Sequence, residues 1–363
     1  MSTKTTKTET TTDATTATDA TATKTEKTEK TEEKAVVGPN RKVRRARAQQ
    51  RKRIERRVKR LLGNELVIFY APDYVDAGNG FETSVKSGKV AESLAKRPVG
   101  GVKLAEPEPA TDEELATVHT HEYIEAIRTG EPLSLAEGFG LGWRPGLFPA
   151  VAASTGGVID AVLWAWRERV HSGSLSSGLH HAAADQGAGY CTFNGIAVAA
   201  KAVLADGARR VLVIDFDAHC GGGTASIIEG VDGIEQVDVS VVQYDTYRSR
   251  SDARLVFSDG DDYLEACEAI LAGIDRPGEI DVVIYNAGMD PHEDAGGVGG
   301  ITTDVIAERE RLVFDWAEGH GLPVAFVLAG GYLQGAEWDE LVNLHRLTIR
   351  KAAAVMQARP VAA

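Results

Sequence analysis

Short apolar runs rich in Val, Leu and Ile alternate along this chain with longer stretches whose apolar positions recur every three to four residues. LVIFYA from Leu66, VLVID from Val211, VDVSVVQY from Val237, DVVIYNAG from Asp281 and PVAFVLAGG from Pro323 are nearly continuous and rich in β-branched residues. That is the pattern of strands buried on both faces of a parallel sheet. A further short strand-like run ends in the pair His180-His181. Helical periodicity marks 86–95, 158–170, 262–272, 299–321, 338–356 and a stretch starting near Asn194. ATDEELATVHTHEYIEAI opens another helix, with Thr111 as N-cap and Glu114 three residues on. His119 and His121, two apart on such a helix, face different ways and read as structural. Residues 72–110 and 138–157 read as loop-rich apart from the helix at 86–95. Strands separated by helices predict an α/β fold: one large domain, 64–358, with a mainly parallel central sheet flanked by helices.

The ends of the chain differ from this body. Residues 1–40 are dominated by Thr, Lys, Glu and Ala with nothing large and apolar to bury before Val36, which predicts a disordered tail. Residues 41–63 form a basic segment in which Ile54, Val58, Leu61 and Leu62 fall on one helical face. Its core, 41–60, holds 12 Lys/Arg and one Glu, so the net charge of −13 conceals a body of −23 from Leu61 onward. Such an arm fits an anionic partner, or it is a solvated helix leading into the domain. Cys191, Cys220 and Cys267 lie far apart without a CxxC spacing. This speaks against a disulfide framework or thiolate zinc finger and suits a reducing, cytoplasmic setting. We read no apolar run as a membrane span and no signal-peptide core at the N-terminus.

The chemistry gathers where the apolar runs stop. After VLVI come Asp215, Asp217 and His219 at alternate positions, followed by a glycine turn at Gly221, Gly222 and Gly223. Asp290 ends the DVVIYNAG run, and Tyr332 follows the two glycines that end the last strand. Asp217, His219 and Asp290 make an open three-ligand metal site with room for water and a substrate oxygen. A neighbouring histidine can move a proton, and a Tyr hydroxyl can hydrogen-bond a developing oxyanion. These parts suit hydrolysis of an amide or acyl group.

In this order and spacing, GLHHA with Gly189-Tyr190-Cys191, IDFDAH, NAGMDP and LAGGY resemble the zinc-dependent histone deacetylase family of the arginase/deacetylase superfamily. VDAGNG, VHTHEYI, HHAAADQGAGYC and IDFDAHCGGG are closest to its class IV branch. The resemblance covers about Leu66 to Tyr332. It implies an enzyme that removes acetyl or longer acyl groups from lysine side chains or similar amines. It also implies zinc on Asp217, His219 and Asp290, His181 as general base and acid with His180 beside it as its electrostatic partner, and Tyr332 polarising the carbonyl. Asp215 would orient the histidine pair and help hold a structural potassium ion, with Ser240 as a further neighbour. Gly189 and Tyr190 would wall a narrow acyl-lysine channel, with Tyr where Phe is commoner.

Two departures stand out. Many relatives carry a second His after the metal His and an Asp or Asn between the following glycines, where this chain has Cys220 and Gly222. If that Asp or Asn supports one member of the histidine pair, the support is missing here, which bears on base strength and rate. Cys220 beside a metal ligand could be redox-sensitive, although a buried inert thiol fits better. A binuclear manganese ureohydrolase needs further carboxylates that are absent after His219 and Asp290. An acetylpolyamine amidohydrolase of the same fold is the alternative enzyme. A non-catalytic module binding an acylated ligand or partner is the alternative of another class.

Overall fold

In the computed structural model, residues 65–75 and 80–359 are described. The tail 1–40, the basic segment 41–63 and most of VDAGNG lie outside them. Eight strands form one sheet: β1 Leu66–Phe69, β2 Val102–Ala105, β3 Ser172–Ser174, β4 Val211–Asp215, β5 Ile234–Ser240, β6 Ala253–Phe257, β7 Val282–Asn286 and β8 Val324–Val327. Their order is β2-β1-β3-β8-β7-β4-β5-β6, and every pairing is parallel. The chain builds one half of the sheet, crosses to build the other, and returns to insert β7 and β8 between them. The crevice between β3 and β4, spanned by these late strands, is the switch point at which open parallel sheets place their ligands.

The helices are α1 Glu82–Lys96, α2 Asp112–Leu115, α3 His121–Thr129, α4 Leu133–Ala136, α5 Leu147–Glu168, α6 Gly195–Ala205, α7 Gly222–Ile228, α8 Tyr263–Ala272, α9 Thr303–Gly319 and α10 Trp338–Ala358. Strand side chains alternate between two cores. Leu66, Ile68, Leu212, Ile214, Val283 and Phe326 pack with Val90 and Leu94 of α1, Cys267 of α8, Val313 of α9 and Ile349 of α10. Val67, Phe69, Val211, Val213, Ile284 and Val327 face the other way, onto Ile124 of α3, Ile159 and Val162 of α5 and Ile196 of α6. Each fully buried aliphatic side chain of this kind stabilises the fold by roughly 1.5–3 kcal/mol.

Several elements depart from the sequence reading for steric reasons. The edge strands β2 (VKLA) and β6 (ARLVF) escaped it because each is short, is broken by a charged residue and has largely half-buried or exposed side chains. β3 is the buried but polar SGS and ends before the histidine pair. Ser172 donates to the Ala161 carbonyl at 2.6 Å, and a Cβ at Gly173 would meet the Phe326 ring at 2.3 Å, so small residues are required there. The stretch from Thr111 splits into α2, closed by a capping box between Thr111 and Glu114, and α3, with His119 between them.

α5 begins eleven residues earlier than its periodicity suggested, running through Gly156 and Gly157. A Cβ on Gly156 would lie 2.0 Å from the Glu108 carbonyl oxygen, so this glycine marks close packing and not a loop. α5 is long and apolar enough by length and hydropathy to cross a bilayer, but it is mostly buried within the domain.

The end of α10 is tied to α9 and to β3. Arg359 and His171 both donate to the Glu318 carboxylate, His171 Nε2 at 2.9 Å. Burial alone would raise Glu318, but these donors outweigh it and bring the carboxyl down from 4.5 to about 2. A carboxyl held low contributes stability above its unfolded pKa that disappears as pH falls through the folded one. Glu318→Gln is therefore expected to cost about 1–2 kcal/mol at pH 7. In urea titrations at stepped pH, the gap between variant and wild type should close between pH 4.5 and about 2.

Candidate active site

The site lies beyond the carboxyl ends of β3, β4, β5, β7 and β8. Asp215, the last residue of β4, pairs in register with Asn286, the last of β7. Its Oδ1 accepts the Asn286 side-chain amide at 2.8 Å and its Oδ2 meets His180 Nδ1 at 2.9 Å. It thus joins the strand ends to the histidine pair. Asp217 and His219 follow on the turn out of β4, and Asp290 enters from the turn after β7.

Asp217, His219 and Asp290 bring one donor atom each within 4.8 Å of one another. His219 Nδ1 stands 3.1 Å from Asp217 Oδ1 and 3.1 Å from Asp290 Oδ2. These spacings approach the ~3.3 Å edge of a tetrahedron with ~2 Å metal–ligand bonds. Asp290 Oδ2 is buried and has no hydrogen-bond partner of acceptable geometry, the mark of an oxygen reserved for a cation. Its other oxygen accepts the Ala218 N–H at 3.0 Å, while Asp217 Oδ2 accepts that of Gly330 at 2.7 Å. Burial disfavours a charged His219, yet the adjacent carboxylates of Asp217 and Asp290 push its imidazole up to about 11. The pocket calls for positive charge at this point, and the donor set fits a divalent metal.

The two histidines stack at 3.9 Å between ring centroids but lie in opposite electrostatic settings. Burial works against a charged His180, but Asp215 and Asp217 outweigh it and push the imidazole up to about 10. Burial and the adjacent His180 charge hold His181 down to about 4. His181 Nδ1 lies 2.9 Å from Asp245 Oδ2, a partner that the sequence reading missed. Support for His181 is therefore present in the fold, although absent from the turn after His219. Asp245 follows the VDVSVVQY run directly, a polar residue beyond a strand as Asp217 and Asp290 are, and this position is the signal for it in the sequence.

Tyr332 follows β8, and burial, then Asp290 and Asp217, raise its hydroxyl well above the usual range, so it remains an O–H donor. Its ring is 6.0 Å from Phe81 and 6.3 Å from Tyr190, and Phe81 and Tyr190 are 4.5 Å apart. Tyr244 stands edge-on to His181 at 4.9 Å. These rings wall the approach to the metal-ligand cluster, with Tyr190 and Tyr244 partly exposed at its mouth. Gly189 belongs in this wall by position, since a Cβ there would strike His181 Cδ2 at 2.3 Å.

His119 is buried, and its Nε2 accepts the Asn194 N–H at 2.9 Å; His121 is exposed. Both lie outside the reactive cluster. Ser240 donates to Asp238 at 2.6 Å, close behind Asp215. Cys220 is buried with its thiol pushed up to about 12, chiefly by burial, which keeps it protonated and unreactive.

Residues 81–254 match the histone deacetylase domain. The chain is 31% identical over 245 residues to an uncharacterized protein of Picosynechococcus sp., covering 66% of this chain and 81% of that one. It is 27% identical over 310 residues to histone deacetylase 2 of Arabidopsis thaliana, covering 78% and 79%. The crystal structure of the HDA15 HD domain has the same fold, with a TM-score of 0.67 at 20% identity over 81% of this chain and 91% of that one. Sequence and fold agree, and the chain belongs to the histone deacetylase family.

Proposed function

We propose that this protein is a zinc-dependent amide hydrolase that removes acetyl or longer acyl groups from lysine side chains or similar amines. The observation that carries the reading is the buried convergence of Asp217, His219 and Asp290 beside two histidines of opposite protonation preference. Zinc held by those three residues would lower the pKa of a water there to about 7 and polarise the amide carbonyl.

The remaining steps belong to the chain's own side chains. His181 is neutral at pH 7, and with Nδ1–H donated to Asp245 its Nε2 carries the lone pair. That nitrogen takes a proton as water adds to the amide carbon, and returns it to the amine nitrogen as the C–N bond breaks. His180, held cationic by Asp215 and Asp217, supplies fixed positive charge beside it. The contrast between the two rings divides their roles. Tyr332 donates its O–H to the carbonyl oxygen as negative charge develops. Phe81, Tyr190 and Tyr244 bracket an aliphatic arm such as the methylene chain of lysine, and the acidic body attracts cationic substrates from a distance.

Two finer readings accompany this one. A potassium ion beside Asp215 and Ser240 would relieve the crowding of Asp215 with Asp238, whose carboxyl burial and Asp215 raise well above the usual range. The VHTHEYI and IDFDAHCGGG segments favour the class IV branch.

Zinc-loaded protein is expected to cleave at least one member of a panel running from acetyl- to long-chain acyl-lysine peptides and acetylpolyamines. Stoichiometric zinc with no cleavage of any of them would sink the proposal. Tyr332→Phe should lower kcat roughly 100- to 1000-fold with a smaller change in KM, as the loss of one oxyanion donor predicts. Asp290→Asn should abolish stoichiometric zinc binding, measured by elemental analysis after gel filtration, and activity with it.

A further inference from the structure

Gly222 and Asp245 compete for the same space. A Cβ on Gly222 would lie 2.2 Å from the Asp245 carbonyl oxygen and 2.4 Å from its Oδ1, so any side chain at 222 displaces residue 245. The Asp245 carboxylate that occupies this space is held from two sides. Its Oδ2 faces His181 Nδ1 at 2.9 Å and accepts the Gly223 N–H at 3.0 Å. The residue adopts a left-handed backbone, φ 55°, which Asp tolerates better than most residues. That conformation turns the carboxylate under the loop after β5 and towards the imidazole.

We infer that Asp245 is the positioning residue of His181, supplied by the loop after β5 in place of the turn after β4, with Gly222 the clearance that admits it. The inference rests on the amide-hydrolase reading for its kinetic consequence and on geometry alone for the hydrogen bond. It also ties orientation of the base to the mouth of the site. Tyr244, the preceding residue, sets its ring edge against His181, and its carbonyl accepts the Cys220 N–H at 3.1 Å. One dipeptide thus touches the approach to the site and fixes which nitrogen of His181 carries the proton. A shift of Tyr244 would shift Asp245 with it.

The test uses the zinc-loaded full chain. Asp245→Ala is expected to lower kcat at least roughly 10-fold and up to about 10,000-fold, the range seen where the carboxylate that orients a base imidazole is removed, with KM within about twofold and zinc content unchanged. Asp245→Asn, which keeps an acceptor of the same shape, should recover most of the loss. Gly222→Asp alone should fall with Asp245→Ala, whereas Gly222→Asp combined with Asp245→Gly should regain activity over Asp245→Gly because it returns a carboxylate to the same space. Nitrogen-15 histidine spectra give a readout independent of turnover: a hydrogen-bonded Nδ1 proton on His181 in the wild type, lost in Asp245→Ala. Retention of that signal in Asp245→Ala, or wild-type kcat in that variant, overturns the inference. Loss of the signal in a protein that hydrolyses no amide would leave the positioning role standing and remove the enzymatic reading.

Discussion

Two carboxylates, Asp217 and Asp290, are buried within reach of the same donor atom, and much of the surrounding structure answers that constraint. Burial and the Asp217 charge together raise the Asp290 carboxyl, the expected response of like charges out of water. Positive groups are arranged around the pair at increasing distance. His219 touches both carboxylates and His180 approaches Asp217 at 3.5 Å. Lys86 of α1 is fully buried above the Tyr332 ring; burial lowers its ammonium to about 8, and the charges of Asp290 and Asp217 limit the fall. Arg309 of α9 acts through the backbone, donating to the Phe216 carbonyl at 3.0 Å and the Gly288 carbonyl at 2.7 Å. One buried guanidinium, itself paired with Glu310, thereby fixes both turns that carry the metal-ligand candidates. Removing it would leave Glu310 unpaired and both turns unanchored, a cost far above that of a surface ion pair.

The same field separates the two histidines. Their rings are 3.9 Å apart, so two cations there would repel strongly, and the protein places its carboxylates unevenly. His180 faces Asp215 through one nitrogen and Asp217 through the other, so both of its N–H groups are stabilised in the cationic form. His181 has a carboxylate on one nitrogen only, and that partner, Asp245, is more exposed than Asp215. The first ring thus carries a fixed charge, and the second stays neutral at pH 7. The asymmetry follows from position: Asp215 ends a central strand, whereas Asp245 lies on a loop at the surface.

The sequence was most informative where one physical demand dominated. Strands buried on both faces, β4 and β7 above all, announced themselves as continuous apolar runs, and the polar residues at their ends pointed to the site before any coordinates. The edge strands β2 and β6 and the polar strand β3 were illegible because half-exposed or sterically confined strands need no apolar run. Asp217, His219 and Asp290 were legible as a set because a metal needs several donors of limited chemical type. Asp245 was not, because His181 needs only a carboxylate at a certain point in space, and any neighbouring loop can supply it. Gly222 looked like a loss in the sequence for the same reason: the compensating residue lies on another element.

The glycines of the NAGMD and LAGGY segments have a steric meaning that their turn propensity hides. A Cβ at Gly288 would lie 2.6 Å from Asp217 Oδ2 and 2.7 Å from Asp290 Oδ1. At Gly330 it would lie 2.0 Å from Asp290 Oδ2 and 2.5 Å from Asp217 Oδ2. Neither glycine has a positive φ, so neither is required by backbone conformation. They are required because two strands deliver their backbones directly against the paired carboxylates, and any side chain would push those oxygens off the point on which they converge. The backbone that crowds them also supplies the Gly330 N–H that accompanies burial of Asp217. Close approach and hydrogen bonding therefore come from the same residue. The turns after β7 and β8 can approach Asp217 and Asp290 this closely only because glycine stands at 288 and 330.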